Sequence, residues 1–295
     1  MTVSLQILTV AAALYTASFF LHLAAFLGSG EKINRWALIG MRLAFLVHTL
    51  FFFTQTAMGG ATHGSSLPIP VSSFGQVMAF FSWALAFVYL VLLARIQSES
   101  FGLILAPFLA VLLGLGLWRF EAGEQNLPSP LNPYFILHLG TAFFAYASFT
   151  LSFAAAVLYL VQYRQLKQKR GGTFYHKLPS LEALEGLIYQ PMAWGVFLLT
   201  LAIGVGFLWS KSAFGSYWLW EPKTVTTLVI ALFYLALVFI HYASVSRGKR
   251  VVVMSLIAFT LIFWNLFGLG THGGVTGGAG SAPQSDTGRN ASSEP

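Results

Sequence analysis

The chain has 295 residues, of which 57% are hydrophobic and only 8% are charged. Because a soluble domain carries about a quarter charged residues, this composition excludes an ordinary water-soluble protein and indicates a surface that faces lipid. The chain contains no cysteine, which excludes disulfides, thiolate metal sites and cysteine nucleophiles. The net charge of +7 does not by itself indicate nucleic-acid binding, since in a membrane protein the position of the charges matters most.

Eight apolar runs follow one another along the chain, each long enough to cross a hydrocarbon layer of about 30 Å. They predict an all-α, polytopic integral membrane protein with about eight transmembrane helices. The first run is too long for the apolar part of a cleaved signal peptide and is interpreted as a retained helix. The predicted spans are 4–27, 36–56, 74–94, 102–119, 134–162, 187–209, 222–244 and 251–269.

Two further segments complete the predicted organisation. Residues 1–272 form the transmembrane domain, and residues 273–295 are rich in glycine and serine and predict a disordered extracytoplasmic tail. Residues 174–186, between spans five and six, predict a short interfacial helix on the cytoplasmic side because their leucines have helical spacing.

Lysine and arginine are distributed unequally between the two sets of loops. Twelve lie in or near the loops on one side, and four lie in the loops on the other. Because these residues accumulate on the cytoplasmic side of membrane proteins, both termini are predicted to be extracytoplasmic. The loop between spans six and seven is then also extracytoplasmic.

The ionisable residues at membrane depth are histidines, since no Asp or Glu lies within a predicted span. Proton pumps and ion-coupled transporters usually need such carboxylates, so their absence argues against those classes. His22, His48 and His241 lie within spans, and His138 and His272 lie at the outer ends of spans five and eight. Each of them has an ordinary interpretation as an interfacial histidine with its polar groups satisfied.

The loop between spans six and seven is densely aromatic. Aromatic residues also anchor helices at a membrane interface, but here three of them fall within four consecutive residues. An aromatic surface beside two outward histidines suits a planar apolar macrocycle, and histidine commonly binds haem iron from both faces. The pattern therefore favours a haem site. The candidate site residues in and directly after this loop are Phe214, Tyr217, Trp218, Trp220, Glu221 and Lys223.

The same loop resembles the tryptophan-rich motif of the haem-handling membrane proteins of cytochrome c biogenesis. That motif is Trp-Gly-x-x-Trp-x-Trp-Asp-Pro-Lys, and residues 214–223 read FGSYWLWEPK. Nearly the whole chain is similar to the CcsA (ResC) branch, the system II cytochrome c synthase subunit. NPYFILHLG places the family's first external haem histidine on His138, and WNLFGLGTHG places the second on His272. FYLALVFIH places its intramembrane haem histidine on His241.

The resemblance implies a function in haem delivery. Haem b made in the cytoplasm would enter near His241, pass to the outer surface and be held there by His138 and His272 as axial ligands. It would then be joined to two cysteines of apocytochrome c, whose thiolates supply the nucleophile, so this chain need supply no catalytic side chain. Trp218 and Trp220 would pack on the macrocycle.

The resemblance also implies further contacts and partners. Lys223 would face a haem propionate, and Glu221 would orient a histidine. A partner of the ResB (Ccs1) type is expected, in a bacterial cytoplasmic or thylakoid-type membrane. This partner would supply the second intramembrane ligand, although His22 shares the inner depth of His241 and is an alternative source.

Departures from the motif leave the activity of the chain open. Phe214 replaces the first tryptophan, Glu221 replaces aspartate, and residues 224–226 read TVT where the family usually has Glu-Thr-Trp. These changes bear on synthase activity more than on haem binding. A non-catalytic haem-binding regulator of the same fold, like the HemX proteins, is therefore an alternative, although retention of His272 argues against it. A small-solute transporter gated by the aromatic loop is a third hypothesis.

Overall fold

A computed structural model of the chain describes residues 3–29, 31–63, 73–93, 100–119, 133–169, 178–217, 222–243 and 248–265. These residues form α-helices with short turns and contain no strand, which confirms the predicted all-α class. The helices are α1 Val3–Ala24, α2 Glu31–His63, α3 Phe74–Leu93, α4 Ser100–Trp118, α5 Pro133–Lys167, α6 Leu181–Phe214, α7 Pro222–Tyr242 and α8 Lys249–Phe263.

The helices make this chain a multi-pass membrane protein. Within the described residues, seven of them are long and apolar enough to cross a membrane. The eighth, α8, covers 15 residues, and the end of the predicted eighth span lies outside the described residues. The predicted tail, residues 273–295, also lies outside them.

The ends of two helices show how the sequence sets the boundaries. A π-helical turn over Ala25–Ser29 follows α1, and its Gly28 has a φ of 148°, which other residues rarely adopt. Helix α6 begins after Ser180, whose Oγ accepts a hydrogen bond from the Ala183 N–H at 3.2 Å. Residues 181–186 are thus the first turns of α6. The prediction of a separate interfacial helix is wrong for these residues, and 174–177 lie outside the described part.

Helices α1 to α4 form the N-terminal bundle. In it α1 packs between α2 and α4, and α3 packs on α4 and α2. An aromatic cluster joins α2 to α3, with Phe45 and Phe80 both stacked on Trp83 at ring-centroid distances of 5.7 and 5.8 Å. The Trp83 Nε1–H donates a hydrogen bond to Thr49 Oγ1 at 2.9 Å, so the indole nitrogen is satisfied inside the apolar cluster.

Helices α5 to α8 form the C-terminal bundle, which is built around α5. Helix α5 packs along α6 and against α8, and α7 lies between α6 and α8. The α5–α6 approach is close because Gly195 has no side chain. A Cβ there would lie 2.6 Å from the Phe149 ring. Phe149 in turn stacks on Tyr234 of α7, and Phe153 stacks on Phe259 of α8. Helix α3 joins the two bundles by packing on α5.

Candidate functional site

His138 lies in the second turn of α5, and its imidazole is directed into the α5–α6 interface. Its Nδ1 lies 2.7 Å from the Ala202 carbonyl oxygen of α6. A carbonyl can only accept, so Nδ1 carries the proton and donates this bond. In the neutral imidazole the lone pair is then on Nε2. A backbone carbonyl on Nδ1 is the usual way in which a protein fixes the tautomer of a metal-binding histidine.

Two residues one and two turns beyond Ala202 shape the surroundings of this imidazole. Gly206 leaves the space that the ring fills, because a Cβ at this position would lie 2.8 Å from His138 Nδ1. Trp209 lies parallel to the imidazole, with ring centroids 6.0 Å apart and an interplanar angle of 10°. Phe135 also packs against this tryptophan, with ring centroids 5.2 Å apart. The imidazole is therefore fixed by a hydrogen bond, a notch and an aromatic neighbour.

The aromatic loop begins at the end of α6, where the backbone folds back on the helix. Gly215 has a φ of 74° and its N–H bonds the Lys211 carbonyl at 3.1 Å, which ends the helix with a left-handed cap. Ser210 Oγ donates to the Ser216 carbonyl at 2.8 Å. The Lys211 ammonium lies 5.0 Å from the centre of the exposed Tyr217 ring. Tyr217 is thus held beside the cap by a cation–π contact.

The rest of the predicted aromatic surface lies outside the described part of the chain. Trp218, Trp220 and Glu221 lie outside the described residues, as does His272. Phe214 is the last residue of α6, and its side chain lies outside them too.

Lys223 lies at the start of α7, on the same side of the C-terminal bundle as His138. Its side chain is exposed, and its charge is close enough to act on the imidazole of His138. One turn further along α7, Thr227 Oγ1 donates to the Lys223 carbonyl at 2.8 Å. The same hydroxyl accepts a hydrogen bond from Asn265 Nδ2 at 3.2 Å. Asn265, the last described residue, is therefore bonded to α7 at a position one helical turn from Lys223.

His241 occupies the last turn of α7, at the opposite end of the C-terminal bundle. Its half-buried imidazole lies face to face with the ring of Tyr189 from α6. The centroids are 3.4 Å apart and the planes are 13° from parallel. Tyr242 meets the same imidazole edge-on at 5.1 Å. The imidazole plane of His241 is thus set by neighbouring aromatic rings.

His22 and His48, in the N-terminal bundle, are more deeply buried than His138 and His241. His48 is fully buried, with Tyr15 edge-on at 6.0 Å and Phe52 stacked at 5.6 Å. His22 is 2% exposed, and its imidazole lies directly against Gly102 of α4. None of the four ring nitrogens makes a hydrogen bond in the described structure. The Ala79 carbonyl near His48 and the Asn34 side chain near His22 lie outside hydrogen-bond geometry.

The structure does not bring His22 and His241 together. Helix α1 packs on α2 and α4, whereas α7 packs on α6 and α8. The His22 ring lies against Gly102 of α4, and the His241 ring lies against Tyr189 of α6. The two residues were predicted at the same depth, but they pack against different helices. These contacts therefore give no support to an internal pair of ligands.

Sequence reasoning missed the residues that hold the two imidazoles. Ala202, Gly206 and Trp209 surround His138, and Tyr189 covers His241. All four belong to α6, and none is charged at neutral pH. The only signal for them was a glycine inside an apolar span, since small residues often mark a close approach between membrane helices.

The fold and these contacts define a polytopic membrane protein that holds oriented imidazoles at two depths of one helix bundle. The chain belongs to the family described as Cytochrome C assembly protein, which matches residues 71–275. This membership confirms the resemblance inferred from the sequence and supports a role in cytochrome c biogenesis. The matched segment contains His138, His241 and His272, whereas His22 and His48 precede it.

Individual relatives extend this comparison. Protein HemX of Brevibacillus brevis is 29% identical over 264 residues, which cover 88% of this chain and 93% of that protein. Cytochrome c biogenesis protein CcsA of Porphyra purpurea is 25% identical over 248 residues, or 69% of this chain and 77% of that protein. The chain is thus similar both to proteins named HemX and to proteins named CcsA.

The fold has a counterpart among solved structures. Cytochrome c Heme Lyase CcmF matches with a TM-score of 0.63 at 16% identity. The match covers 88% of this chain and 46% of that one, so this chain spans about half the length of CcmF. At this identity the likeness shows the fold alone.

Proposed function

We propose that this chain binds haem b within the membrane and presents it at the outer surface for covalent attachment to apocytochrome c. The contact between His138 and Ala202 is the observation that carries the proposal. It holds the proton on Nδ1 and leaves the lone pair of Nε2 for iron. The hydrogen bond, the glycine notch and the parallel indole together fix the ring in one orientation.

In this proposal the outer haem has two axial ligands, His138 and His272. Support for His272 comes from the bond between Asn265 and Thr227, which fixes the start of the segment leading to it. That segment is seven residues long, and an extended chain spans at most about 3.3–3.6 Å per residue. The segment thus begins beside Thr227, one helical turn along α7 from Lys223.

The aromatic loop and one lysine would complete the outer haem pocket. Trp218 and Trp220, with Phe214 and Tyr217, would pack on the macrocycle, and Glu221 would orient a histidine. Lys223 is the proposed partner of a haem propionate because its exposed ammonium lies within electrostatic range of His138. When bound, haem supplies the groups that become thioethers with the apocytochrome cysteines. The chain itself fixes the position and the axial ligands.

The inner site of the proposal is His241, with its second ligand from a ResB (Ccs1)-type partner. His22, the alternative ligand, is sealed against Gly102 and has little exposed surface. A macrocycle needs access to the ring edge of its ligand, and the half-buried His241 offers more of it. The contacts therefore favour a ligand from the partner.

A haem-binding membrane protein without attachment activity is the second candidate function. Two observations favour it: HemX of Brevibacillus brevis is similar over 93% of its length, and residues 224–226 depart from the family's motif. The two candidates predict the same haem site and differ only in what happens to haem there.

Co-expression of the chain with a ResB-type partner and an apocytochrome c separates these candidates. Haem that stays on the cytochrome after denaturation and electrophoresis indicates covalent attachment and supports the first. A purified complex with a bis-imidazole haem spectrum but no haem-stained cytochrome supports the second. A chain that purifies without haem under all conditions contradicts both and points to the transporter.

The proposal also requires that His138 lies on the extracytoplasmic side, as the charge distribution predicts. Reporter fusions at Gln168 and at the C-terminus are expected to report opposite sides, with Gln168 cytoplasmic. Two fusions reporting the same side are incompatible with this topology.

A further inference from the structure

The contact between Tyr189 and His241 is closer than any other aromatic contact described in the structure. The two rings lie at a centroid distance of 3.4 Å and only 13° from parallel, which covers one whole face of the imidazole. We propose that Tyr189 is a positioning residue that sets the plane of the His241 imidazole for haem binding. This inference rests on the proposed function of His241 as the inner haem ligand.

The burial of the two helices shows which ring positions the other. Tyr189 is 2% exposed and belongs to α6, which packs along the length of α5. His241 belongs to the end of α7, where Phe239 and Tyr242 face outward and are more than 60% exposed. Tyr189 is therefore the fixed platform, and the imidazole at the end of the peripheral helix is oriented by it.

The stacked arrangement is compatible with iron binding because it uses a different part of the imidazole. Iron binds a ring nitrogen in the plane of the imidazole, whereas Tyr189 contacts the face. The haem plane lies across the axis of the iron–nitrogen bond, so a ring fixed by Tyr189 cannot rotate freely about that axis. Fixing a ligand in advance lowers the entropy that binding must remove.

The hydroxyl group of Tyr189 does not contribute to the stacked contact with His241. Tyr189 Oη is buried and makes no hydrogen bond with the described residues. The nearest carboxylate along α6, Glu185, accepts a hydrogen bond from Tyr159 Oη at 3.4 Å. The aromatic face of Tyr189, and not its hydroxyl, is therefore expected to act on His241.

Two substitutions separate the ring from the hydroxyl. Tyr189→Phe keeps the stacked ring and removes the unused hydroxyl, and Tyr189→Met fills similar space with a flexible chain and removes the ring. The matched control is Tyr234→Met. Tyr234 is also buried and stacked, on Phe149 at 4.0 Å, but does not contact His241. A second readout, the thermal midpoint of each variant, identifies general loss of folding.

The measurement is made on the complex with its partner, in a His138→Ala background so that the haem signal reports the inner site. Haem per protein and the electron paramagnetic resonance spectrum of the ferric haem, which responds to imidazole orientation, are recorded. We expect Tyr189→Phe and Tyr234→Met to match the parent. Tyr189→Met should bind haem about 10- to 100-fold more weakly, as for other residues that orient a metal ligand, and its residual haem should show an altered spectrum.

The outcomes distinguish this inference from the proposed function. If His241→Ala keeps the parent haem content, His241 is not the inner ligand and the proposed inner site fails. If His241→Ala loses haem but Tyr189→Met keeps both content and spectrum, the role of Tyr189 alone is overturned. Equal losses in Tyr189→Phe and Tyr189→Met also overturn it, because the hydroxyl would then be the active group. If Tyr189→Met lowers the Tm as well as the haem content, Tyr189→Leu replaces it in the same comparison.

Discussion

The N-terminal and C-terminal bundles each hold two histidines whose side chains the structure describes, but they hold them in different ways. His22 and His48 are sealed among helices, and their nitrogens make no hydrogen bond in the described structure. His138 and His241 are half-buried, and each lies nearly parallel to an aromatic ring of α6. The difference lies in whether the protein fixes the ring while leaving part of it accessible.

This comparison changes how a histidine at membrane depth is interpreted. An ionisable group inside a span is a default candidate for function, and all four residues meet that criterion. Orientation and access separate them into two pairs, and the pair with both properties lies in the segment that matches the cytochrome c assembly family.

The largest effect is expected from His138→Ala. It removes a proposed axial ligand, so the affinity for outer haem should fall by more than the roughly 100-fold that loss of an orienting contact can cost. Haem per protein and the visible spectrum of the purified complex measure this. Added imidazole should restore part of the binding by refilling the vacant axial position. His272→Ala is expected to behave in the same way. Wild-type haem content in both variants would contradict the outer site.

A smaller effect is expected from Gly206→Ala. The new methyl group would lie 2.8 Å from His138 Nδ1 and push the ring away from the Ala202 carbonyl. Haem affinity should fall about 10- to 100-fold, although alanine favours a helix over glycine by about 1 kcal/mol. Haem titration of the purified complex measures the change.

Gly204→Ala is the matched control for this prediction. A Cβ at Gly204 has nothing within 4 Å, and the substitution makes the same chemical change two residues away on α6. Equal affinities in the Gly206 and Gly204 variants would show that the notch is not needed.

The smallest effect is expected from His48→Leu. The imidazole is fully buried without a hydrogen bond, so an apolar side chain removes a desolvation cost instead of a favourable contact. Haem content should stay at the wild-type level and the Tm should not decrease. A clear loss of haem with a normal Tm would place His48 among the functional histidines and remove the distinction between the bundles.

The sequence predicts most of the fold, because helices in a membrane must be apolar over a known length. It misjudges the ends. The predicted span 187–209 corresponds to the longer helix Leu181–Phe214, and the predicted span 36–56 corresponds to Glu31–His63. Polar residues continue a helix beyond the bilayer at no cost in hydrogen bonding, and hydropathy does not register this continuation.

The sequence predicts the candidate ligands but not what surrounds them. His138 and His241 are visible as rare polar groups in apolar spans. Ala202 acts through its backbone carbonyl. Tyr189 stacks on His241 from another helix, and the two residues are 52 positions apart in the sequence. Such contacts depend on helix rotation and pairing, which hydropathy does not determine. The separation of His22 from His241 was invisible for the same reason.

The most direct test compares His241→Ala with His22→Ala in the complex with the proposed ResB-type partner. Both residues were predicted at the same inner depth, and they differ in orientation and access. We predict that His241→Ala lowers total haem per protein by blocking entry, with His138 intact, and that His22→Ala leaves it nearly unchanged. Normal haem loading in His241→Ala, or an equal loss in both variants, would contradict the claim that an oriented, accessible ring marks the haem ligand.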